Sequence, residues 1–391
     1  MDIEWLQDEV IDWRFKAVPH TLLGSTVRDA LARRPGIRRD RFPSPVVALD
    51  RADLEHNLTT MADWCRASGL DLAPHGKTTM APALLHRQLE LGAWGITAAT
   101  PAQARAFRAF GVPRVLLANE FVHPDGLDWV GAQLADPGFD FLCWADSPEA
   151  VRAMAGPRPR PLDVLVEVGS RGGRTGARTP AEALRTAEAI DAEPSLRLAG
   201  VGGYEAPAGP DLDDVRAYLH ALREVAEALH PVEDMVVTAG GSAYFDLVAS
   251  ILRGPWRTVL RSGTYLTHDD EHYAGVSPLG DTPRLDAPAL RSAWRVWAQV
   301  QSTPEPGLAI LAAGKRDLPH DLGLPFPVDL DGEVTALNDQ HAFLRTPAAP
   351  RVGEWVRLGI SHPCTTFDKW SLLPVLDGDG ETVVDLVRTF F

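Results

Sequence analysis

The sequence predicts a (β/α)8 TIM-like barrel with a second, C-terminal mostly-β domain. Three observations carry this. Short apolar runs alternate with helical stretches from Leu70 to about Thr267. Eight such strand–helix units follow one another, which is the repeat of a parallel barrel. After about His272 the alternation stops, and strand-like pieces separated by Pro- and Gly-rich turns take over.

The eight barrel runs are Leu70–Pro74, Gly95–Ala99, Val115–Asn119, Phe139–Ala145, Val164–Gly169, Leu198–Tyr204, Met235–Gly240 and Thr258–Ser262. They are continuously apolar or β-rich, as strands buried on both faces should be. Helical stretches lie between them, among them Pro101–Phe110, Pro180–Asp191 and Asp211–Leu229. Thr100-Pro101, Ser147-Pro148 and Thr179-Pro180 read as capping residues with proline in the first turn. An open doubly wound sheet is the rival architecture. One extra strand, Val46–Asp50, precedes the barrel. The later strand candidates are Ala293–Ser302, Leu308–Ala312, Gly332–Leu337, Trp355–Leu358 and Thr382–Val387. The expected organisation is an N-terminal segment, 1–44, packing on the β domain, a barrel over 45–270 and a β domain over 271–391.

Composition narrows the function. With 391 residues and 45% hydrophobic content the chain can bury a large core. Its formal net charge of −15 argues against a nucleic-acid partner, because few cations are left to neutralise phosphates. Cys65, Cys143 and Cys364 form no disulfide framework, which suits a reducing compartment. No signal peptide and no apolar run of membrane length is apparent, so a cytoplasmic location is expected.

Barrel active sites form at the carboxyl ends of the strands. His75-Gly76-Lys77 follows the first strand, and Gly169–Gly176, containing Arg174, follows the fifth. Tyr204-Glu205 follows the sixth, Gly240-Gly241-Ser242 the seventh, and Gly263-Thr264-Tyr265 the eighth. The late glycine and hydroxyl cluster suits a phosphate held by backbone N–H groups. A lysine near a low-dielectric barrel mouth can condense with an aldehyde cofactor. Phosphate cup and lysine together indicate pyridoxal 5'-phosphate, an electron sink for a carbanion at an amino acid's α-carbon. Arg174 facing the pyridine nitrogen would keep that nitrogen unprotonated. Each residue alone has a plainer reading: Lys77 a solvated loop lysine, Gly240-Gly241 a turn, Arg174 a surface guanidinium, Tyr204 a cap on the core.

In the second domain, His362-Pro363-Cys364 places two ligand types two residues apart. In an extended segment they would face one side and suit a divalent metal, zinc above all, with magnesium or manganese as alternatives. Asp339-Gln340-His341 either completes a site, with Gln340 and His341 touching substrate, or forms a turn.

Taken together, these segments resemble the fold-type III, alanine-racemase-like pyridoxal-phosphate enzymes, within them the D-serine dehydratase, amino-acid deaminase and D-threonine aldolase group. The likeness runs from Pro43 to about Val387. It rests on Pro74–Thr78 for the lysine, Val168–Gly176 for the arginine and Gly203-Tyr204-Glu205 for a tyrosine against the ring. Thr238–Ser242 and Arg261–Tyr265 match the phosphate cup, and His362-Pro363-Cys364 the metal pair. The resemblance implies a homodimer, a divalent metal beside the cofactor and action on D-configured β-hydroxy amino acids. It implies Lys77 and Tyr204 as catalytic residues. The aldolases resemble a Tyr-x-Gly-His pattern after the sixth strand, where this chain has Tyr204-Glu205-Ala206-Pro207. They also pair His with Asp at the metal, where this chain has Cys364. Both departures point to elimination of a D-3-hydroxy amino acid such as D-serine, giving a 2-oxo acid and ammonia. Retro-aldol cleavage, racemisation with Tyr265 as a second base, and a non-catalytic cofactor-handling protein are the alternatives.

Overall fold

The computed structural model describes all residues from Met1 to Phe391. The chain divides into two compact units. One comprises residues 61–77 and 87–263, the other 2–60, 78–86 and 264–391.

The first unit holds an eight-stranded parallel sheet. In chain order its strands are Asp71–Leu72, Ile96–Ala98, Arg114–Glu120, Asp140–Ala145, Leu162–Val168, Leu196–Gly203, Val236–Ala239 and Arg257–Leu260. From the second to the eighth each pairs with the next, and the first pairs with the eighth through Asp71 opposite Val259. The first and second strands are joined by the Trp94 N–H to Leu72 carbonyl bond, 2.7 Å, and the Thr97 N–H to Pro74 carbonyl bond, 2.9 Å. The ring thus closes into a barrel and leaves no open edge, which excludes the doubly wound alternative. Leu162–Val168 and Val236–Ala239 are buried at every position. Leu116, Leu142, Trp144, Leu165, Val236 and Val259 build a core from successive strands.

The helix starts follow the predicted chemistry. The Thr100, Ser147 and Thr179 hydroxyls accept the N–H groups of Gln103, Ala150 and Glu182. Glu182 also returns its carboxylate to the Thr179 N–H, completing a capping box. The Thr100 and Ser147 caps start their helices two residues after the strand ends, whereas eleven residues, including Arg174, separate Val168 from the helix that Thr179 caps.

The second unit is a mostly-β assembly of nine strands. Seven follow the order Glu333–Leu337, Ala342–Arg345, Leu308–Leu311, Trp294–Glu305, Val46–Asp50, Leu372–Leu376, Val383–Arg388. Trp355–Gly359 adds to Trp294–Glu305, and Phe326–Pro327 adds to Trp355–Gly359. Val46–Asp50 therefore belongs to this sheet, antiparallel to one neighbour and parallel to the other. The first 44 residues dock on the same unit. Ile37 N–H bonds the Glu381 carbonyl and Val383 N–H the Pro35 carbonyl. Ile11, Phe15, Leu22 and Phe42 join Val46, Leu372 and Leu386 in one buried cluster.

Candidate active site

The first barrel strand ends in a tight turn, Gly76–Thr78, that presents Lys77 as an exposed side chain. Gly76 has no room for a side chain: a Cβ there would lie 2.5 Å from the Phe107 ring and 2.9 Å from Ile96. The glycine thus lets the lysine turn lie directly on the barrel rim. His75 is half-buried, and its Nδ1 is buried without a hydrogen-bond partner. Burial, then the charges of Lys77, Arg261 and Arg174, hold the imidazole well below its ordinary pKa. His75 is accordingly neutral near pH 7.

Arg174 lies with its guanidinium carbon 5.1 Å from the centroid of the Tyr204 ring. Its loop is fixed by Arg178, which donates to the carbonyls of Gly173, Arg174, Thr175 and Gly176. Lys77, His75, Arg174 and Tyr204, four residues far apart in the chain, therefore belong to one end of one barrel.

The glycine pair differs from expectation in one respect. The N–H groups of Gly240 and Gly241 donate to the two carboxylate oxygens of Glu205, at 3.0 and 2.6 Å. Those two amides are directed at a protein carboxylate rather than at a bound anion. Glu205 is fully buried, and the loop it holds is also tied by the Ser262 hydroxyl to the Gly241 carbonyl, 2.9 Å. Gly240 has φ +100°, a conformation that favours glycine. Ser242 and Gly263 lie on the same unit at the ends of the seventh and eighth strands. Thr264 and Tyr265 begin the second unit in a buried turn, Thr264–Leu266.

In the second unit the His362–Cys364 segment is not extended. His362 is the N-cap of a short helix, Pro363–Phe367, and Cys364 lies in its first turn. Pro363 explains this, because its fixed φ and missing N–H suit the first helical position. The two ligand types thus sit at a helix start, and the same-side argument from strand geometry does not apply. His362 Nδ1 is 2.7 Å from Asp321 Oδ2, and the Thr365 hydroxyl donates to Asp321 Oδ1 at 2.8 Å. Burial pushes Asp321 up, but the bonds from Thr365 and His362 outweigh it, and its pKa is lowered. A carboxylate on Nδ1 orients the imidazole and leaves Nε2 for a metal. Cys364 Sγ is 3.5 Å from Thr78 Oγ1. A soft thiolate and an oriented imidazole fit a zinc-type ion. Gln340 and His341 fall in the hairpin turn between Glu333–Leu337 and Ala342–Arg345, where the Asn338 N–H bonds the His341 carbonyl at 2.9 Å. That is the turn reading.

Sequence reasoning passed over Asp321 and a group of carboxylates, and it placed Glu205 and Arg261 at strand ends without giving either a role. Arg261 is buried, donates to Thr238 Oγ1 and the Gly203 carbonyl, and lies 4.9 Å from the Trp144 ring. Glu120, Asp146 and Glu167 end the third, fourth and fifth strands; burial and then Glu120 push Glu167 up to about 9. A charged residue inside an apolar strand was the available signal for Glu167 and Arg261.

The residues fit a pyridoxal-phosphate site in one further way. The unpartnered His75 nitrogen and the exposed lysine border a mouth that an aromatic cofactor would cover.

The family model described as "Alanine racemase, N-terminal domain" matches residues 49–271. That described as "Putative serine dehydratase domain" matches residues 293–376. The chain is 30% identical over 376 residues to the D-threonine aldolase of Arthrobacter sp, covering 90% of this chain and 94% of that one. It is 28% identical to the D-threo-3-hydroxyaspartate dehydratase of Delftia sp. (strain HT23), over 86% and 94% of the two chains. Among solved structures, D-threonine aldolase from Filomicrobium marinum superposes with a TM-score of 0.78 at 28% identity, covering 91% of this chain and 97% of that one. The Delftia dehydratase shares the fold at a TM-score of 0.71 and 22% identity, covering 90% and 98%. A cysteine-to-alanine mutant of a D-threo-3-hydroxyaspartate dehydratase is described in the metal-free form. The chain belongs to the alanine-racemase-like, fold-type III pyridoxal-phosphate enzymes, in the group of the D-threonine aldolases and D-threo-3-hydroxyaspartate dehydratase.

Proposed function

We propose that this chain is a pyridoxal-phosphate lyase of D-3-hydroxy amino acids that works by β-elimination, releasing a 2-oxo acid and ammonia. The observation that carries the reading is the turn that presents Lys77 after the first barrel strand, with Arg174 stacked over the Tyr204 ring at the ends of the fifth and sixth. Lys77 would hold the cofactor aldehyde, Arg174 its pyridine nitrogen and Tyr204 its ring. Ser242, Gly263, Thr264 and Tyr265 would hold its phosphate, Gly240 and Gly241 shaping the loop beneath. When bound, the cofactor supplies an electron sink for negative charge at the α-carbon. Lys77, neutral once released, takes the α-proton at Nζ. Arg174 opposes a second proton on the nitrogen it faces.

His362 and Cys364 would hold a divalent metal, with Asp321 fixing the imidazole. Such a metal supplies Lewis acidity for a departing β-hydroxyl. Thiolate ligation favours zinc. The relative described in a metal-free form supports this assignment.

Pro207 supports elimination over aldol cleavage. Retro-aldol chemistry needs a base for the β-hydroxyl proton, and this chain has proline where the aldolase pattern has histidine, while the neighbouring Glu205 has both carboxylate oxygens bonded to amides. The aldolase reading stays as the second one, favoured by the relatives named aldolases at 30% and 27% identity. A homodimer and a cytoplasmic location are part of the proposal; no helix is long and apolar enough to cross a membrane.

The test is turnover of a panel of D- and L-3-hydroxy amino acids by purified enzyme loaded with cofactor and zinc. Turnover confined to D-isomers is expected. Turnover of the L-isomers would overturn the stereochemical class, and none at all, with cofactor bound, would favour a cofactor-handling protein.

A further inference from the structure

Three neighbouring barrel strands deliver carboxylates to one place. Glu120 closes the strand Arg114–Glu120, Asp146 follows Asp140–Ala145, and Glu167 is the penultimate residue of Leu162–Val168. One oxygen from each lies within 4.8 Å of the others. The parallel register explains the meeting: Glu120 stands opposite Trp144, and Ala145 opposite Val166. Residues just beyond those pairs share one rim.

Carboxylates crowd on many proteins without a ligand. Here the burial is unusual. Glu167 is 2% exposed and its Oε2 has no hydrogen-bond partner; both oxygens of Glu120 are buried and equally without one. With no cation bound, these oxygens are satisfied only if Glu167 keeps a proton and shares it with Glu120; a cation among them is the other way to satisfy them. Asp146 takes one bond, from the Gly176 N–H at 3.1 Å. Arg174 is within electrostatic reach of Glu167. Burial and Glu120 hold Glu167 up at about 9, so a bound cation would take the place of its proton.

We infer that Glu120, Asp146 and Glu167 bind a hard divalent cation of the magnesium, manganese or calcium class, at a site separate from His362 and Cys364. An all-oxygen donor set selects such ions over zinc. Oxygens on opposite sides of a cation bound at roughly 2.3–2.6 Å stand about 5 Å apart, so the observed span is within reach. The cation ties together the third, fourth and fifth strands. Through Asp146 and Gly176 it also anchors the loop that carries Arg174. A proton shared between Glu120 and Glu167 is the competing way to satisfy the same oxygens.

Crystals of the cofactor-loaded enzyme soaked in Mn2+ decide between them. An anomalous manganese peak among the three carboxylates is expected; a map with no peak there overturns the inference in favour of the shared proton. In solution, Mn2+ alone is titrated into the Cys364→Ser enzyme and followed by electron paramagnetic resonance. One tightly bound Mn2+ per chain is expected, with affinity at least tenfold weaker when Glu120→Gln or Asp146→Asn is added. Unchanged Mn2+ binding in both doubly substituted enzymes would also overturn it. The crystal measurement needs no substitution, so a carboxylate variant that fails to fold does not remove the test.

Discussion

The barrel unit and the β unit each carry a candidate centre, and the two are built on different principles. In the barrel, Lys77, Arg174 and Tyr204 sit on loops that leave parallel strands, and each loop is tied down by its own bonds: Arg178 on the Arg174 loop, Glu205 on the Gly240 loop. In the β unit, His362 and Cys364 begin a five-residue helix, and one carboxylate, Asp321, holds both His362 and Thr365. The barrel centre brings cations to strand-end loops, as an anionic, phosphate-bearing cofactor requires. The β-unit centre sets an acid behind an imidazole, as a metal ligand requires. Cofactor binding and metal binding should therefore be separable by substitution.

Lys77→Ala should have the largest effect. A fall of at least about 1,000-fold in kcat/KM is expected, with loss of the cofactor's visible absorption, while bound metal stays at its wild-type level. Absorption spectra and metal analysis of the same sample check it, and a retained visible band would remove Lys77 from its role. Cys364→Ala should give the opposite pattern: the visible band retained, metal lost, and turnover reduced by about 100-fold or more. Full activity in a metal-free preparation would break the comparison.

Asp321→Asn keeps the shape and removes the charge behind His362. Metal affinity should weaken by roughly 10–100-fold, with the cofactor band untouched; competition with a chelator measures it. A separate effect concerns pH. Burial holds Asp269 up at about 7 from its ordinary 3.8, against bonds from the Tyr273, Ala274 and Glu271 amides. The folded chain keeps this proton where the unfolded chain has released it. The stabilisation is therefore full below about pH 4 and is lost as pH rises to about 7, by at most about 4 kcal/mol. Denaturant titrations from pH 4 to 8 should show this slope, and Asp269→Asn should flatten it.

The same contrast governs how much of the molecule was legible in the sequence. All eight barrel strands were, because their residues are apolar on both faces and their helices open with Thr100, Ser147 and Thr179. Lys77 and Arg174 stand after such strands, as their places in the sequence indicated, and their roles remain part of the proposal. In the β unit Leu372–Leu376 went unread, since Pro374 argues against an interior strand, although this strand pairs on both sides. Ala342–Arg345 was hidden behind the polar cluster that turns out to be its hairpin. The helix at Pro363 ran against the extended reading because proline both ends strands and begins helices. Asp321 carries no local signal, and Glu205, though placed at a strand end, gives no sign of its partners. The roles of both come from partners 41 and 35–36 residues away, which only the folded chain brings within bonding distance.

The elimination assignment rests on Pro207 standing where the Tyr-x-Gly-His pattern of the aldolases has its histidine. D-Threonine separates the outcomes in a single assay of the cofactor- and zinc-loaded enzyme. Elimination yields 2-oxobutanoate and ammonia in equal amounts, and that is the predicted result. Glycine and acetaldehyde as the products would contradict it and place this chain with the aldolases.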